Sequence, residues 1–264
     1  MVDDTSVNLK VIVNLLKFTK IKVDTASSGR QCLEMVSQVA YDLIFLDHMM
    51  PEMNGIDTFA EMQKLKDSPN KNTPVIMLTA NAVTGVRERF LQAGFTDYLS
   101  KPVSGETLEN MIMKYLPKEK YRRDAAGDST AEETDHPAAL KELSKLYPKV
   151  DLAKGLAACA DSYDVYIDVL KTYAELPETD KLNAYLEQKN AYEYQNCVHS
   201  VKSSSLVVGF FKLAEQALAL ENAAREEDWD FICANHASFI DEYRMAVDAI
   251  KKAFQSFPEQ NLPK

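Results

Sequence analysis

The apolar pattern of the chain differs on the two sides of a segment that has no apolar periodicity. This segment, residues 118–137, reads KEKYRRDAAGDSTAEETDHP and combines charge with Gly, Ser, Thr and Pro, a composition typical of a linker. Before it, short β-rich runs alternate with amphipathic helical stretches, whereas after residue 150 apolar residues recur only at helical spacing. The pattern therefore predicts an α/β domain over residues 1–117 and an all-α domain over residues 150–255.

The segments around these two units receive simpler predictions. Residues 118–149 are predicted to be a linker followed by a first helix, and residues 256–264 to be a C-terminal tail. The 264 residues are enough for two ordinary domains, and the content of 46% hydrophobic and 27% charged residues is that of a globular protein.

Polar side chains close the β-rich runs of the first unit. The runs IKVDTA, YDLIFLD, TPVIMLT and DYLS, each followed by a helical stretch, predict a parallel sheet with crossover helices. Ligands bind at the carboxyl ends of the strands in such sheets, so the residues at those ends are the candidates for a site. They are Asp47, Thr79 and Lys101, joined by Asp3 and Asp4 from the start of the chain.

Three carboxylates in one place need a counter-ion. Two unit charges 4 Å apart near a protein surface repel by about 4 kcal/mol, so Asp3, Asp4 and Asp47 together predict a site for a hard divalent cation. Mg²⁺ prefers oxygen ligands and retains several waters, which suits this set. Lys101 adds a positive charge, and the hydroxyl of Thr79 a donor, for phosphoryl oxygens.

The second unit carries one histidine in an unusual setting. Four apolar-periodic stretches predict about four or five helices, and one of them contains HSVKSSSLVVG. Helical spacing places His199, Lys202 and Leu206 on one outer face, with the small Ser203 beside them. An exposed neutral imidazole is a nucleophile near pH 7, and Lys202 would neutralise a phosphoryl group bound to it.

Composition excludes several other functions. The region 150–254 holds ten basic and eighteen acidic residues, which would repel nucleic acid. No two of the eight glycines are separated by a single residue, so no glycine-rich loop for ATP is present. The four cysteines are scattered, which favours free, mostly buried thiols over zinc or disulfides. With no membrane span or signal peptide visible, the sequence predicts a cytoplasmic location.

The motifs of the first unit resemble the receiver domain of two-component response regulators over roughly residues 1–117. VDD is similar to the acidic pair of that family, LDHMMPEMNG to its phosphoacceptor strand and loop, MLTAN to the strand with the switch threonine, and DYLSKP to the lysine segment. The resemblance implies a flavodoxin-like, doubly wound parallel sheet. It also implies the site residues: Asp47 as phosphoryl acceptor, Asp3, Asp4, Asp47 and the Met49 carbonyl as Mg²⁺ ligands, Lys101 completing the site, and Thr79 with Tyr98 as the switch pair.

One departure from the receiver pattern concerns the first strand. Receivers carry several apolar residues before the acidic pair, and here only Met1 and Val2 precede Asp3. We therefore expect a truncated first strand, and we interpret the chain as a fragment of a longer protein.

The helical unit resembles a histidine phosphotransfer domain, over about residues 150–255. HSVKSSSLVVG is similar to the family pattern of His, Lys three residues later, small residues, and Gly ten residues after the His. The departure is Ser203, where the family often has Gly. The resemblance implies that His199 carries the phosphoryl group and that Ser203, Leu206 and Gly209 belong to the docking surface. His236 and His136 have no comparable neighbours and are interpreted as an ordinary helix residue and a linker residue.

The order of the two units resembles the C-terminal end of hybrid sensor histidine kinases. It implies a phosphorelay component whose partners are a sensor histidine kinase and other receiver domains, without an ATP-binding kinase core in this chain. The alternative hypothesis is a non-catalytic docking fragment whose truncated receiver does not bind Mg²⁺. A DNA-binding regulator is disfavoured by the acidic second half.

Overall fold

The structure is a computed structural model that describes residues 1–17, 19–79, 86–101, 103–120, 137–175 and 178–257. We refer to residues 1–120 as the α/β region and to residues 137–257 as the helical region. Most of the predicted linker and of the predicted tail lies outside the described residues, as does His136.

Three parallel strands form the sheet of the α/β region, in the order β1-β2-β3. Leu46 pairs with Met77 across the first pair of strands, and Met77 with Tyr98 across the second. Every residue of β1 and β2 is buried, as expected for a parallel sheet covered by helices on both faces. The elements are α1 (Ser6–Leu15), α2 (Gly29–Gln38), β1 (Ile44–Asp47), α3 (Gly55–Lys64), β2 (Val75–Thr79), α4 (Val86–Gln92), β3 (Asp97–Ser100) and α5 (Gly105–Tyr115).

The expected first strand is reduced to bridges around one residue. Val2 bridges Ala26 on one side and Leu46 on the other, both in parallel. The prediction of a strand over IKVDTA is therefore wrong: because the pairing partner extends only back to Met1, only its last residue joins the ladder. The prediction of a truncated first strand is confirmed. The short pairing nevertheless fixes Asp3, whose backbone N–H donates to the Ala26 carbonyl at 3.1 Å.

The helical region contains more helices than the sequence predicted. From residue 150 onward, six helices lie among the described residues instead of four or five. Left-handed backbone conformations at Asp161 and Lys189 break two of the predicted stretches, since continuing a helix requires negative φ. The elements are α6 (Ala138–Leu146), α7 (Leu152–Ala158), α8 (Tyr163–Glu175), α9 (Thr179–Glu187), α10 (Ala191–Val207), α11 (Phe211–Arg225) and α12 (Trp229–Ser256).

Aromatic rings fill the core of the helical region. Tyr173 lies edge-on to both Phe210 and Tyr243, with ring centroids 5.5 and 5.7 Å apart. The chain reaches Phe210 through Gly209, which has φ of 85° and lies against Asp151, where a Cβ atom would come within 2.3 Å of the Asp151 carbonyl oxygen. Gly209 therefore permits a tight exit from α10, because no other residue fits there without strain.

Helix α1 of the α/β region packs against both the sheet and the helical region. Ile12 and Leu16 pack with the apolar residues of the sheet, whereas Val7 and Val11 belong to the buried core of the helical region. Pairs four residues apart thus form two neighbouring apolar stripes on one short helix. The two regions share a continuous apolar contact through α1.

Two further predictions from the sequence concern the state of the cysteines and the presence of a membrane-spanning helix. Cys32, Cys159 and Cys197 are buried, Cys233 is exposed, and all four are free. Among the helices of the described residues, none combines the length and the apolar character that crossing a membrane requires.

Candidate functional site

The carboxyl edge of the sheet brings the predicted polar residues together. Asp47 ends β1, Thr79 ends β2, and Lys101 directly follows β3. The Lys101 backbone N–H donates to the Thr79 carbonyl at 2.8 Å, which fixes the third strand end against the second. Thr79 and Asp47 are both buried at this edge.

Three carboxylates meet one lysine at this edge. Oxygen atoms of Asp3, Asp4 and Asp47 lie within 4.8 Å of one another. Lys101 Nζ donates to Asp3 Oδ2 at 2.7 Å and forms an ion pair with Asp47 Oδ1 at 2.8 Å, although that contact is not a well-directed hydrogen bond. Asn8 Nδ2 donates to Asp3 Oδ1 at 3.0 Å. We call Asp3, Asp4, Asp47 and Lys101 the acidic cluster.

The acidic cluster carries more negative charge than its lysine neutralises. Burial, together with the neighbouring carboxylates, raises the pKa of Asp47 well above its ordinary range, although Lys101 opposes the shift. Burial and the charge of Asp3 raise the pKa of Asp4 to about 6. Burial alone would lower the pKa of Lys101, but Asp3 and Asp47 raise it above its ordinary value, so this side chain stays protonated. Without another cation, Asp4 and Asp47 therefore retain their protons more readily than usual.

The donor set fits Mg²⁺. The metal prefers carboxylate oxygens and keeps several waters, and three closely spaced carboxylates with an excess of negative charge provide that environment. Gly55 keeps the loop after β1 closed, because its N–H donates to the His48 carbonyl at 2.9 Å. A Cβ atom at this position would lie 2.2 Å from the backbone carbonyl oxygen of Asp47. Met49 lies in this loop, two residues after Asp47, and the role of its carbonyl as a ligand stays a prediction.

Tyr98 is a packed aromatic in this structure. It is partly buried and lies against the apolar cluster on one side of the sheet. The switch role of Thr79 and Tyr98 therefore remains a prediction.

A second polar cluster surrounds His199 on α10. His199 Nδ1 lies 3.0 Å from Glu221 Oε1, and Lys202 Nζ donates to Glu221 Oε2 at 2.5 Å. Arg225 Nη2 reaches Glu221 Oε1 at 3.5 Å. We call these four residues the histidine cluster.

The predicted exposure of His199 and Lys202 is wrong. His199 is 4% exposed and Lys202 is 6% exposed. Both side chains turn toward Glu221 on α11, and the α/β region covers the same face of α10. Helical spacing alone would leave this face at the surface, but tertiary packing buries it. Leu206 is partly buried on this face.

The two nitrogen atoms of His199 differ in their surroundings. Burial lowers the pKa of His199, and Glu221 opposes this shift through its hydrogen bond. We assign the Nδ1 proton to the contact with Glu221, which leaves Nε2 as the atom with the lone pair. Nε2 is buried and has no hydrogen-bond partner among the described residues. The ring is therefore neutral, with the Nδ1 proton directed to Glu221 and a lone pair on Nε2.

Glu221 is a site residue that sequence reasoning missed. Burial alone would raise its pKa, but His199 and Lys202 lower it to about 2, so the side chain is a carboxylate at neutral pH. A usable signal was present in the sequence, since Glu221 lies beside Leu220 and Ala224 on the buried face of an amphipathic helix. A buried acidic residue requires a partner.

The acidic cluster and the histidine cluster face each other. Burial is the main cause of the lowered pKa of His199, and the charges of Lys202 and, more weakly, Lys101 lower it further. Burial first and then His199 lower the pKa of His48, the neighbour of Asp47, to about 4. A small cavity between the regions is lined by residues from both sides: Asp3, Asn8, Val11, Ile12, Lys101, Val103, Ala158, Ser203, Leu206 and Val207.

The predicted docking residues have different environments. Ser203 and Leu206 line the small cavity between the two regions, and their docking role stays a prediction. Gly209 instead packs against Asp151 inside the helical region, so its role is to end α10. His236 is held between the Tyr194 hydroxyl at 2.9 Å and Asn183 Oδ1 at 2.8 Å, as expected for a structural histidine.

Comparisons with known proteins identify the family of the α/β region. The model of the response regulator receiver domain family matches residues 1–113. Signal transduction histidine-protein kinase BarA of Escherichia coli K12 is 30% identical over 233 residues, which are 86% of this chain and 24% of BarA. Aerobic respiration control sensor protein ArcB of the same strain is 29% identical over 218 residues, 81% of this chain and 26% of ArcB. The similarity to both kinases is longer than the receiver match and extends into the helical region.

A solved receiver domain is also similar. It belongs to sensor histidine kinase PA1611 of Pseudomonas aeruginosa PAO1, with a magnesium ion coordinated in its active site cleft. It is 32% identical, with a TM-score of 0.40, and the match covers 43% of this chain and 92% of that domain. The chain spans about a quarter of the length of BarA and ArcB and is homologous to their C-terminal parts.

Proposed function

Because residues 1–113 are a response regulator receiver domain, we propose that this chain is a phosphorelay component with two phosphoryl carriers. Asp47 accepts a phosphoryl group from a phosphohistidine, and His199 exchanges one with receiver domains. On this proposal residues 1–117 are the receiver, residues 150–255 are a histidine phosphotransfer domain, and the partners are a sensor histidine kinase and other receivers. The four free cysteines agree with the reducing cytoplasm, the location that we propose.

The geometry of the acidic cluster supports Asp47 as the acceptor. Asp47 is held by Lys101 at 2.8 Å and lies within reach of the other two carboxylates. Mg²⁺, when bound by Asp3, Asp4 and Asp47, would neutralise the charges of the attacking carboxylate and of the phosphoryl oxygens. Lys101 adds a fixed ammonium for those oxygens, and its raised pKa keeps it charged throughout.

The observation that carries the proposal is the buried Nε2 of His199, which has no hydrogen-bond partner among the described residues and lies on the helix whose Ser200 contacts Asp4 of the acidic cluster. In the transfer from Asp47, the Nε2 lone pair attacks phosphorus, the bond between phosphorus and the Asp47 oxygen breaks, and the carboxylate leaves with its electron pair. Nδ1 keeps its proton, so the phosphorylated ring is cationic, and Glu221 stabilises that cation by accepting the Nδ1–H bond. Lys202 Nζ lies 3.4 Å from Nδ1, and from that side of the ring its charge would partly screen the phosphoryl group.

The alternative of a docking fragment with a non-functional receiver has less support. Its premise is that a truncated first strand disrupts the metal site. Although the first strand is reduced to bridges around Val2, those bridges hold Asp3 in position, and the three carboxylates converge.

The full chain can be tested with acetyl phosphate and Mg²⁺, sorting the bound phosphate by chemical stability. Acyl phosphates are labile in base, whereas phosphohistidine is stable in base and labile in acid. We expect the wild-type chain to carry both kinds, His199→Gln only the base-labile kind, and Asp47→Asn neither. His236→Gln is the matched control and should carry both.

Two results would contradict the assignments. Base-stable phosphate in His199→Gln that disappears in His236→Gln would show that the wrong histidine was chosen. Full base-labile labelling of Asp47→Asn would exclude Asp47 as the acceptor.

A further inference from the structure

Three polar residues on one face of α10 have buried atoms without a hydrogen-bond partner among the described residues. The atoms are Nδ2 of Asn196, Nε2 of His199 and Oγ of Ser203. Asn196 lies three residues before His199 and Ser203 four residues after it, so the three side chains form one row along the helix. Asn196 and Ser203 are 3% and 5% exposed. A buried donor without a partner destabilises a fold, so two of them beside one imidazole require an explanation.

The next serine of the same helix shows how a hydroxyl is ordinarily accommodated there. Ser204 Oγ donates to the Ser200 carbonyl at 2.9 Å, which is the bond to the preceding turn that a helical serine commonly makes. Ser203 makes no such bond to the described residues. It instead lines a cavity of about 30 Å³ together with Asp3 and Lys101. The hydroxyl of Ser203 is therefore left unused on the side of α10 that faces the acidic cluster.

The charged partners of His199 lie at the other edge of its ring. Glu221 Oε1 and Lys202 Nζ are 3.0 and 3.4 Å from Nδ1. A phosphoryl group on Nε2 brings negative charge and acceptor oxygens to the opposite edge. Donors are needed at that edge, and Asn196 and Ser203 have an unused N–H and an unused O–H one turn before and one turn after the histidine.

We propose that Asn196 and Ser203 are a donor pair that binds the phosphoryl group on His199, each donating to one of its oxygens. Both groups keep their protons and form no covalent bond, and the bond between Nε2 and phosphorus forms and breaks as in the proposed transfer. Hydrogen bonds to an anion are stronger than those between neutral groups, so the donor pair stabilises phosphohistidine relative to the free imidazole. The inference rests on the proposed function, since it names further residues for the same site.

The distribution of phosphate between the two carriers of the full chain measures this stabilisation. With acetyl phosphate in excess and Mg²⁺ present, the ratio of base-stable to base-labile phosphate should reach a constant value. Ser203→Ala and Asn196→Leu each remove one donor and should lower that ratio about five- to tenfold, because a hydrogen bond to the anion is lost. Ser203→Thr keeps the hydroxyl and should retain the ratio, because the cavity beside it has room for a methyl group.

Two control variants match these chemical changes. Ser204→Ala removes the hydroxyl of the adjacent residue, and Asn235→Leu removes an amide from α12. Both groups already bond to carbonyls of their own helices. Neither variant should change the ratio of the two kinds of phosphate.

The melting temperature of the unlabelled chain distinguishes phosphate binding from a structural role. Replacing a side chain that makes a structural hydrogen bond lowers stability, whereas replacing a buried donor that has no partner by an apolar group does not. We therefore expect Ser203→Ala and Asn196→Leu to melt at or above the wild-type temperature in circular dichroism, although both lower the phosphohistidine ratio.

The outcomes separate this inference from the proposed function. Absence of phosphohistidine in the wild-type chain contradicts the proposed function itself. A wild-type ratio in both Ser203→Ala and Asn196→Leu overturns the donor pair while leaving the relay in place. A lowered ratio accompanied by a lowered melting temperature in both variants assigns them a structural role and also overturns the donor pair.

Discussion

The acidic cluster and the histidine cluster have buried centres at Asp47 and His199, but they differ in charge balance. The acidic cluster sets three carboxylates against one ammonium. The histidine cluster sets one carboxylate, Glu221, against Lys202 and Arg225, with a neutral imidazole between them. The first cluster therefore lacks positive charge, whereas the second has a surplus of it.

This difference matches the chemistry proposed for each side. A deficit of positive charge in the receiver suits a divalent cation, and the surplus beside His199 suits an anionic phosphoryl group. In the histidine cluster every charged group has a partner, and only the neutral Nε2 of His199 has none among the described residues. We therefore expect the receiver to respond strongly to metal and the helical region to respond strongly to loss of Glu221.

Removing Glu221 should have the largest effect on stability. Glu221→Ala leaves Lys202 buried without its carboxylate, so we expect the free energy of unfolding of the helical region to fall by about 3–5 kcal/mol. Urea denaturation of the full chain can be followed by the fluorescence of Trp229, the only tryptophan, which packs against the core of the helical region. Glu215→Ala, at an exposed position of the same helix, is the control and should change stability by less than about 0.5 kcal/mol. Equal stability of the two variants would mean that the histidine cluster is not held together by charge.

Lowering the pH should remove most of the stabilisation that the Glu221 carboxylate provides. Burial by itself raises the pKa of Glu221, but its partners lower it from 4.5 to about 2, so this carboxylate stabilises the fold above pH 4.5. The contribution, on the order of 3 kcal/mol, is lost as the pH falls from 4.5 to about 2. Unfolding of the wild type and of Glu221→Gln should be compared across this range by Trp229 fluorescence. Their difference should shrink toward low pH, and a constant difference would contradict the lowered pKa.

Metal should stabilise the receiver by a somewhat smaller amount. At a concentration one hundred times its dissociation constant, a ligand that binds only the folded state stabilises it by about 2.7 kcal/mol. Hydrogen exchange measured by mass spectrometry should show Mg²⁺ protecting peptides from β1 and β2 more than peptides from α12. Asp4→Asn should weaken the effect. Equal protection in both regions, or none in either, would contradict a metal site in the acidic cluster.

The acidic cluster could be predicted from sequence because strand ends determine it. Asp47 and Lys101 directly close strands of a parallel sheet, and the ends of such strands meet at one edge whatever the detailed packing. The same reasoning failed for IKVDTA, because a strand also needs a pairing partner, and only the backbone of Met1–Asp3 was available.

The histidine cluster could be predicted only in part. Helical spacing correctly grouped His199 with Lys202, since residues three apart lie on one face. It could not show which face is buried, because that depends on α11 and on the α/β region, both distant in sequence. The partner Glu221 and the interface contact of Ser200 with Asp4 depend on tertiary packing in the same way.

The most direct test of the account is a rapid-quench time course on the wild-type chain. After a short pulse of labelled acetyl phosphate with Mg²⁺, base-labile phosphate at Asp47 should appear first and decline as base-stable phosphate at His199 rises. Peptide mapping by mass spectrometry identifies the two residues. The account predicts this precursor–product relation and its loss in Asp47→Asn. Undiminished base-stable phosphate at His199 in Asp47→Asn would contradict it.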